Sequence, residues 1–129
     1  MLHAEQGSPA APIRPQATAD FCDDNPSAQV LQNTFTSFGG SRGCVGPVET
    51  ISTRDDNSLV KATLQEAGEG RVLLVDNHDS TNCAMLGGNL AQLAADNGWA
   101  GVVVNGAVRD VEELREAPVA IFALATCPR

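Results

Sequence analysis

A chain of 129 residues, 43% of them apolar, suffices for one domain with a buried core and is too short for two independent ones. Its formal net charge of -8, from 16 acidic and 8 basic side chains, repels phosphate backbones, so no nucleic-acid partner is expected. No apolar run approaches the ~20 residues of a membrane span and no secretory signal opens the chain, so a soluble, cytoplasmic protein with no membrane contact is expected.

Pro9, Pro12 and Pro15 stand among Ser, Ala and Gln, with too little apolar surface to offset ordering entropy. Residues 1–17 are therefore expected to form a flexible arm, and residues 18–129 the folded domain. A short helix is expected over residues 21–24, capped by Thr18 or Asp20 and ended by Pro26. Phe35-Thr36-Ser37-Phe38, followed by Gly39, Gly40 and Gly43, reads as a loop with closely packed backbone. Residues 45–52 are the first strand candidate.

Asp55-Asp56-Asn57-Ser58 reads as a turn and cap before a helix over residues 59–64. The apolar run at residues 71–75 has the pattern of a strand buried on both faces, and the loop Asp76-Asn77-His78-Asp79-Ser80 follows it. A helix is expected over residues 88–97 with Gly98 at its C-cap, a buried strand over 99–104, and a turn over 105–108. A short helix over 111–115, stopped by Pro118, and a last strand over 119–125 complete the chain. This alternation specifies a parallel α/β unit, in which ligands bind outside the carboxyl ends of the strands: Asp76, the 105–110 segment and Cys127.

The four cysteines, Cys22, Cys44, Cys83 and Cys127, have no C-x-x-C spacing and read as reduced thiols; zinc-ligand spacing with His78 is absent too. Chemistry concentrates elsewhere. Gly87 and Gly88 open a helix whose first N–H groups have no partner within it, a ready carboxylate site in which the missing Cβ atoms admit a small acid. The same glycines also suit a simple turn. Arg109 can hold an oxyanion or keto oxygen and Asp110 a hard divalent cation, although the pair alone equally suits a surface ion pair or helix cap.

Gly88, twenty intervening residues, Arg109-Asp110, two residues and Glu113 form a motif. Together with Phe38-Gly39-Gly40, Asp56-Asn57-Ser58 and the stretches at residues 68–76, 97–106 and 125–129, it resembles the family of 4-hydroxy-4-methyl-2-oxoglutarate aldolases and ribonuclease-activity regulators A. The resemblance implies an α/β fold, an RraA-like swivelling β/β/α-type sandwich with a parallel βαβ core. It implies a divalent-metal lyase, usually a homotrimer, that cleaves 4-hydroxy-4-methyl-2-oxoglutarate into two pyruvates and decarboxylates oxaloacetate through a pyruvate enolate. By that analogy Gly87, Gly88, Asn89 and Leu90 hold the carboxylate of a small 2-oxo acid such as pyruvate or oxaloacetate. Arg109 takes its keto oxygen, and Asp110 holds Mg2+ or Mn2+. Glu113 acts beside water at the metal, as a base or an orienting group.

Three departures accompany the resemblance. Members often carry an acidic residue where Gly88 stands. The loop after Asp76 is commonly glycine-rich, whereas Asn77-His78-Asp79 would narrow the pocket, add a ligand or simply form Asx-type turns. Relatives continue past Pro128-Arg129, so the family fold is expected to be shortened at its C-terminus, as in a truncated product, an incomplete gene model or an inactive paralogue. The alternative to an enzyme is a non-catalytic regulator that binds a ribonuclease through an acidic surface.

Overall fold

The structure is a computed structural model and describes residues 16–129. The arm expected over residues 1–17 lies, as far as residue 15, outside the described residues. Helix α1 (Thr18–Asp24) follows Ala17 without a side-chain cap, so Thr18 lies within the helix rather than capping it. Then come β1 (Thr36–Ser37), β2 (Val48–Ser52), α2 (Ser58–Leu64), β3 (Val72–Asp76), β4 (Ala84–Leu86), α3 (Gly88–Asp96), β5 (Gly101–Val108), α4 (Val111–Glu116) and β6 (Ala120–Thr126).

All six strands join one sheet, ordered β1-β6-β5-β3-β2, with β4 added against β5. Strands β2, β3, β4, β5 and β6 pair in parallel, and β1 is antiparallel to β6. The parallel α/β reading is thus borne out, with two strands that the sequence pattern does not show. Thr36-Ser37, loop-like in the sequence, pairs with Ala123 and Phe122. Ala84–Leu86 is too short for a period to register, yet it pairs with the far end of β5.

That second pairing corrects the turn expected over residues 105–108. β3 accompanies β5 only as far as Asn105, after which β4 takes its place: Ala84 faces Ala107 and Leu86 faces Val108. The strand therefore runs on to Val108 and ends directly before Arg109-Asp110.

Side chains of the central strands alternate between two buried faces, as expected for a sheet covered on both sides. Leu73, Val75, Val102, Val104, Ile121 and Ala123 pack with Val60, Leu64, Ala91, Ala94 and Leu114 of the helices. Val72, Val103, Ala120 and Phe122 pack on the other side with Cys44, Phe35 and Leu74. Burial pushes the Cys44 thiol up to about 11, which keeps it protonated and inert at neutral pH. Leu114, fully buried, anchors the short helix α4 with about 2 kcal/mol of apolar burial and so fixes the turn in front of it. Among the described residues no helix is long and apolar enough to cross a membrane.

Candidate active site

Parallel pairing of β4 with β5 sets two strand ends side by side, and each leads straight into a helix. From Leu86 the chain passes through Gly87 into α3; from Val108 it passes through Arg109-Asp110 into α4. The Arg109 N–H donates to the Leu86 carbonyl at 3.0 Å, which ties the two turns together. Asp110 takes the left-handed conformation, φ 58° and ψ 47°, which Asp tolerates better than most residues. Its carboxylate reaches across to α3, where Oδ2 accepts the Gly88 N–H at 3.1 Å.

That contact sharpens the expectation of an amide-lined carboxylate site. Gly88 N–H already serves Asp110, and the Ala91 N–H donates within the helix to Gly87. The Asn89 and Leu90 N–H groups make no hydrogen bond among the described residues, so the open donors at this helix end are those two.

Side chains of the second turn crowd both glycines. A Cβ on Gly87 would stand 2.7 Å from Asp110 Oδ2 and 3.2 Å from Arg109 Nε. A Cβ on Gly88 would overlap Glu113 Oε2 and lie 2.8 Å from Glu113 Cβ. Glu113 thus packs over Gly88, in the space that a side chain at position 88 would need.

Arg109 Nε lies 3.8 Å from Asp110 Oδ2, with both side chains well exposed, so the pair contributes little to stability and leaves the guanidinium open to a ligand. Gly87, Gly88, Asn89, Leu90, Arg109 and Asp110 line one cleft of about 320 Å3, together with Asn57, Lys61 and Ala84. Of the site residues expected from the sequence, the structure gathers all in this lining except Glu113, which stands behind Gly88. Asn57 and Lys61 escape a reading of the sequence because the turn and helix they occupy look like scaffold. Their separation of four residues, on one helical face, is the signal that could have linked them.

The Asn77-His78-Asp79 loop contributes nothing to this lining. His78 Nε2 lies 3.0 Å from Ser52 Oγ and its Nδ1 3.7 Å from Asp76 Oδ2, and Asn77 is buried and bonds both the backbone and the carboxylate of Asp55. These contacts brace the ends of β2 and β3. The Asn105 side-chain amide and the His78 backbone N–H hold the Asp76 carboxyl below the usual range. Hydrogen bonds from Ser80 and Asn77 do the same for Asp55. Asp76 and Asn105 line a separate cleft of about 240 Å3 with Leu31, Gln32, Asn33, Phe35 and Leu74.

Among the described residues no three or more His, Cys, Asp or Glu side chains form a group able to cage a metal. A zinc-type site built from protein ligands alone does not fit. A hard cation that keeps most of its water does, because one exposed carboxylate oxygen, Asp110 Oδ1, takes no hydrogen bond among the described residues.

The fold and this cleft define an α/β protein with a polar strand-end cleft, built from two parallel strands and the helices that follow them. The chain belongs to the RraA-like (Aldolase/RraA) family, whose model matches residues 18–129. A relative from Thermus thermophilus named 4-hydroxy-4-methyl-2-oxoglutarate aldolase is 51% identical over 112 residues, 87% of this chain and 68% of that protein. The solved structure of the RNA-processing inhibitor RraA from Thermus thermophilus superimposes with a TM-score of 0.86 at 48% identity, covering 90% of this chain and 71% of the other. A Geobacillus kaustophilus structure named S-adenosylmethionine:2-dimethylmenaquinone methyltransferase gives 0.85 at 40% identity, covering 88% and 71%. Proteins named for three different functions share this fold, so function has to be argued from the cleft.

Proposed function

We propose that this chain cleaves 4-hydroxy-4-methyl-2-oxoglutarate into two pyruvates and, through the same enolate, decarboxylates oxaloacetate. The observation that carries the proposal is the convergence of open helix-end amides, a guanidinium and a carboxylate in one cleft of about 320 Å3. The Asn89 and Leu90 N–H groups receive the C1 carboxylate, and the Arg109 guanidinium faces the C2 keto oxygen. In the aldol substrate the C4 hydroxyl gives up its proton, the C3–C4 bond breaks and its electron pair moves to the C2 oxygen. C4 becomes the keto carbon of one pyruvate, and protonation at C3 yields the other. Arg109 is worth most where the negative charge on that oxygen appears, in the transition state.

A divalent cation, Mg2+ or Mn2+, is part of this reading, with Asp110 as its protein ligand; when bound it supplies a positive charge beside the developing enolate oxygen. Glu113, packed over Gly88, is proposed as the group that positions water or accepts a proton beside the cation. The reading includes a cytoplasmic homotrimer with sites between subunits, which fits the exposure of Val30 and Leu31 on this chain. Mass measurement in solution tests that part.

Arg109→Lys and Arg109→Ala test the reaction itself. Loss of the planar fork is expected to cut oxaloacetate decarboxylation by about 100-fold with little change in folding. A wild-type rate that does not depend on added metal, or an Arg109→Ala rate equal to wild type, sinks the proposal.

A second reading, a regulator that binds a ribonuclease, is favoured by the close match to the RNA-processing inhibitor and by the net charge of -8. Pull-down of ribonuclease at low salt that fails at high salt supports it, since an acidic interface is screened.

A further inference from the structure

Lys61 is the only lysine in the sequence. It lies on α2 one turn beyond Asn57, and both line the cleft that contains Arg109 and the α3 amides. Among the described residues the other cations near acidic or aromatic groups are engaged: Arg71 pairs with Glu49 and stacks on Trp99, and Arg109 pairs with Asp110. Lys61 forms no ion pair and no side-chain hydrogen bond among them. In a chain with 16 acidic side chains, an ammonium that lines this cleft unpaired among the described residues calls for an anionic partner that those residues do not provide.

We propose that Lys61 is the specificity-determining residue of the cleft and receives the second carboxylate of a dicarboxylic 2-oxo acid. The inference rests on the proposed function, in which Asn89, Leu90 and Arg109 hold the pyruvyl end. An acid with one carboxylate uses only that end; a dicarboxylate spans from it to Lys61. The ammonium is a flexible point charge rather than a fork, so it selects for charge at the far end without fixing its geometry.

The position of this charge separates the two reactions. In aldol cleavage the far carboxylate stays on its fragment, so Lys61 holds it equally before and during bond breaking and affects KM rather than kcat. In oxaloacetate decarboxylation the far carboxylate leaves as carbon dioxide and its charge moves to the enolate oxygen. Attraction to Lys61 then stabilises the starting state more than the transition state, and removing it raises KM and kcat together.

The test compares wild type with Lys61→Met, which keeps the apolar stem and removes the charge. Titration calorimetry with 2-oxoglutarate, and with 2-oxopentanoate, in which a methyl replaces the far carboxylate, measures the contribution of that group without turnover. Wild type is expected to prefer the dicarboxylate about tenfold, the size of one charge-assisted contact, and Lys61→Met to lose the preference while binding pyruvate unchanged. Equal wild-type affinity for the two acids, or a preference that survives in Lys61→Met, overturns the proposal and leaves the pyruvate site standing. If pyruvate itself fails to bind, the underlying reading falls and this one with it. Borohydride reduction in the presence of pyruvate is the last check: an adduct on Lys61 would make it a Schiff-base former and contradict its role as a carboxylate receptor.

Discussion

Gly88→Ala is the substitution whose outcome depends most on the details of this fold. Gly88 sits at the first position of α3 with ordinary helical backbone, so an added methyl meets no torsional penalty; its cost is steric. The new Cβ would lie 2.8 Å from Glu113 Cβ and 2.9 Å from Glu113 Cδ, against the ~3.5–4.0 Å of an ordinary carbon contact. Glu113 Cβ is fixed to α4, which buried Leu114 anchors, so rotating the Glu113 carboxylate relieves only part of the overlap. Overpacking of this kind costs about 1–3 kcal/mol, partly offset by up to about 1 kcal/mol of helix propensity gained over glycine. A net loss of about 1–2 kcal/mol, a few degrees in Tm, is expected by thermal or urea unfolding. In a Glu113→Gly background, which removes Cβ as well as the carboxylate, the clash is gone, and Gly88→Ala is expected to be neutral or stabilising. The double-mutant cycle reads that difference directly as coupling between the two positions. Additive effects would refute the placement of Glu113 over Gly88.

Asp110→Asn keeps a side-chain acceptor for the Gly88 N–H and a residue type that accepts the left-handed backbone, so Tm is expected to move little; activity should fall at least ~100-fold and excess metal should not restore it. Asp110→Ala loses both the acceptor and the tolerance for that backbone, and is expected to lose about 1–2 kcal/mol of stability as well. Acid should weaken the fold through the strand ends. Asp76 and Asp55 have folded pKa values below the unfolded value of about 3.9, so between the two values the unfolded chain binds more protons. Their contribution is complete above the ordinary carboxylate range and is lost as pH falls through the lowered values. Urea melts from pH 7 to 3 should show this loss, and Asn105→Ala, which removes the hydrogen bond that lowers Asp76 most and so brings its folded pKa back toward the unfolded value, should make the loss smaller.

The helices α2, α3 and α4 and the strands β3, β5 and β6 are legible in the sequence because each carries its own period or apolar run. Leu90, Ala91 and Ala94 mark a helix stripe, and Val102-Val103-Val104 a strand buried on both faces. What escapes is structure defined only by its partner. Ala84-Met85-Leu86 becomes a strand because the end of β5 lies beside it, and Asn105-Gly106, turn-like in isolation, stays extended because Ala107 and Val108 are paired on both sides.

The site shows the same division. Gly87, Gly88, Arg109 and Asp110 can be picked out because they sit at the junction of strand and helix, where ligands bind in parallel sheets. That the Asp110 carboxylate takes the Gly88 amide, and that Glu113 fills the space above Gly88, depends on how α3 and α4 face each other, which no local pattern encodes. Asn57 and Lys61 belong to the cleft only through the packing of α2 on the sheet. His78 is a possible ligand by residue type, yet its neighbours Ser52 and Asp76 make it a brace of the strand ends.

The central claim is that this cleft generates a pyruvate enolate. The most direct measurement is pyruvate yield from 4-hydroxy-4-methyl-2-oxoglutarate, followed by coupled reduction to lactate, with the protein stripped by chelator and then supplied with Mg2+ or Mn2+. Two pyruvates per substrate, at a rate that returns with metal and is lost in Asp110→Asn, is the result predicted. No pyruvate above the uncatalysed rate with metal present, or the same rate in Asp110→Asn, would contradict it.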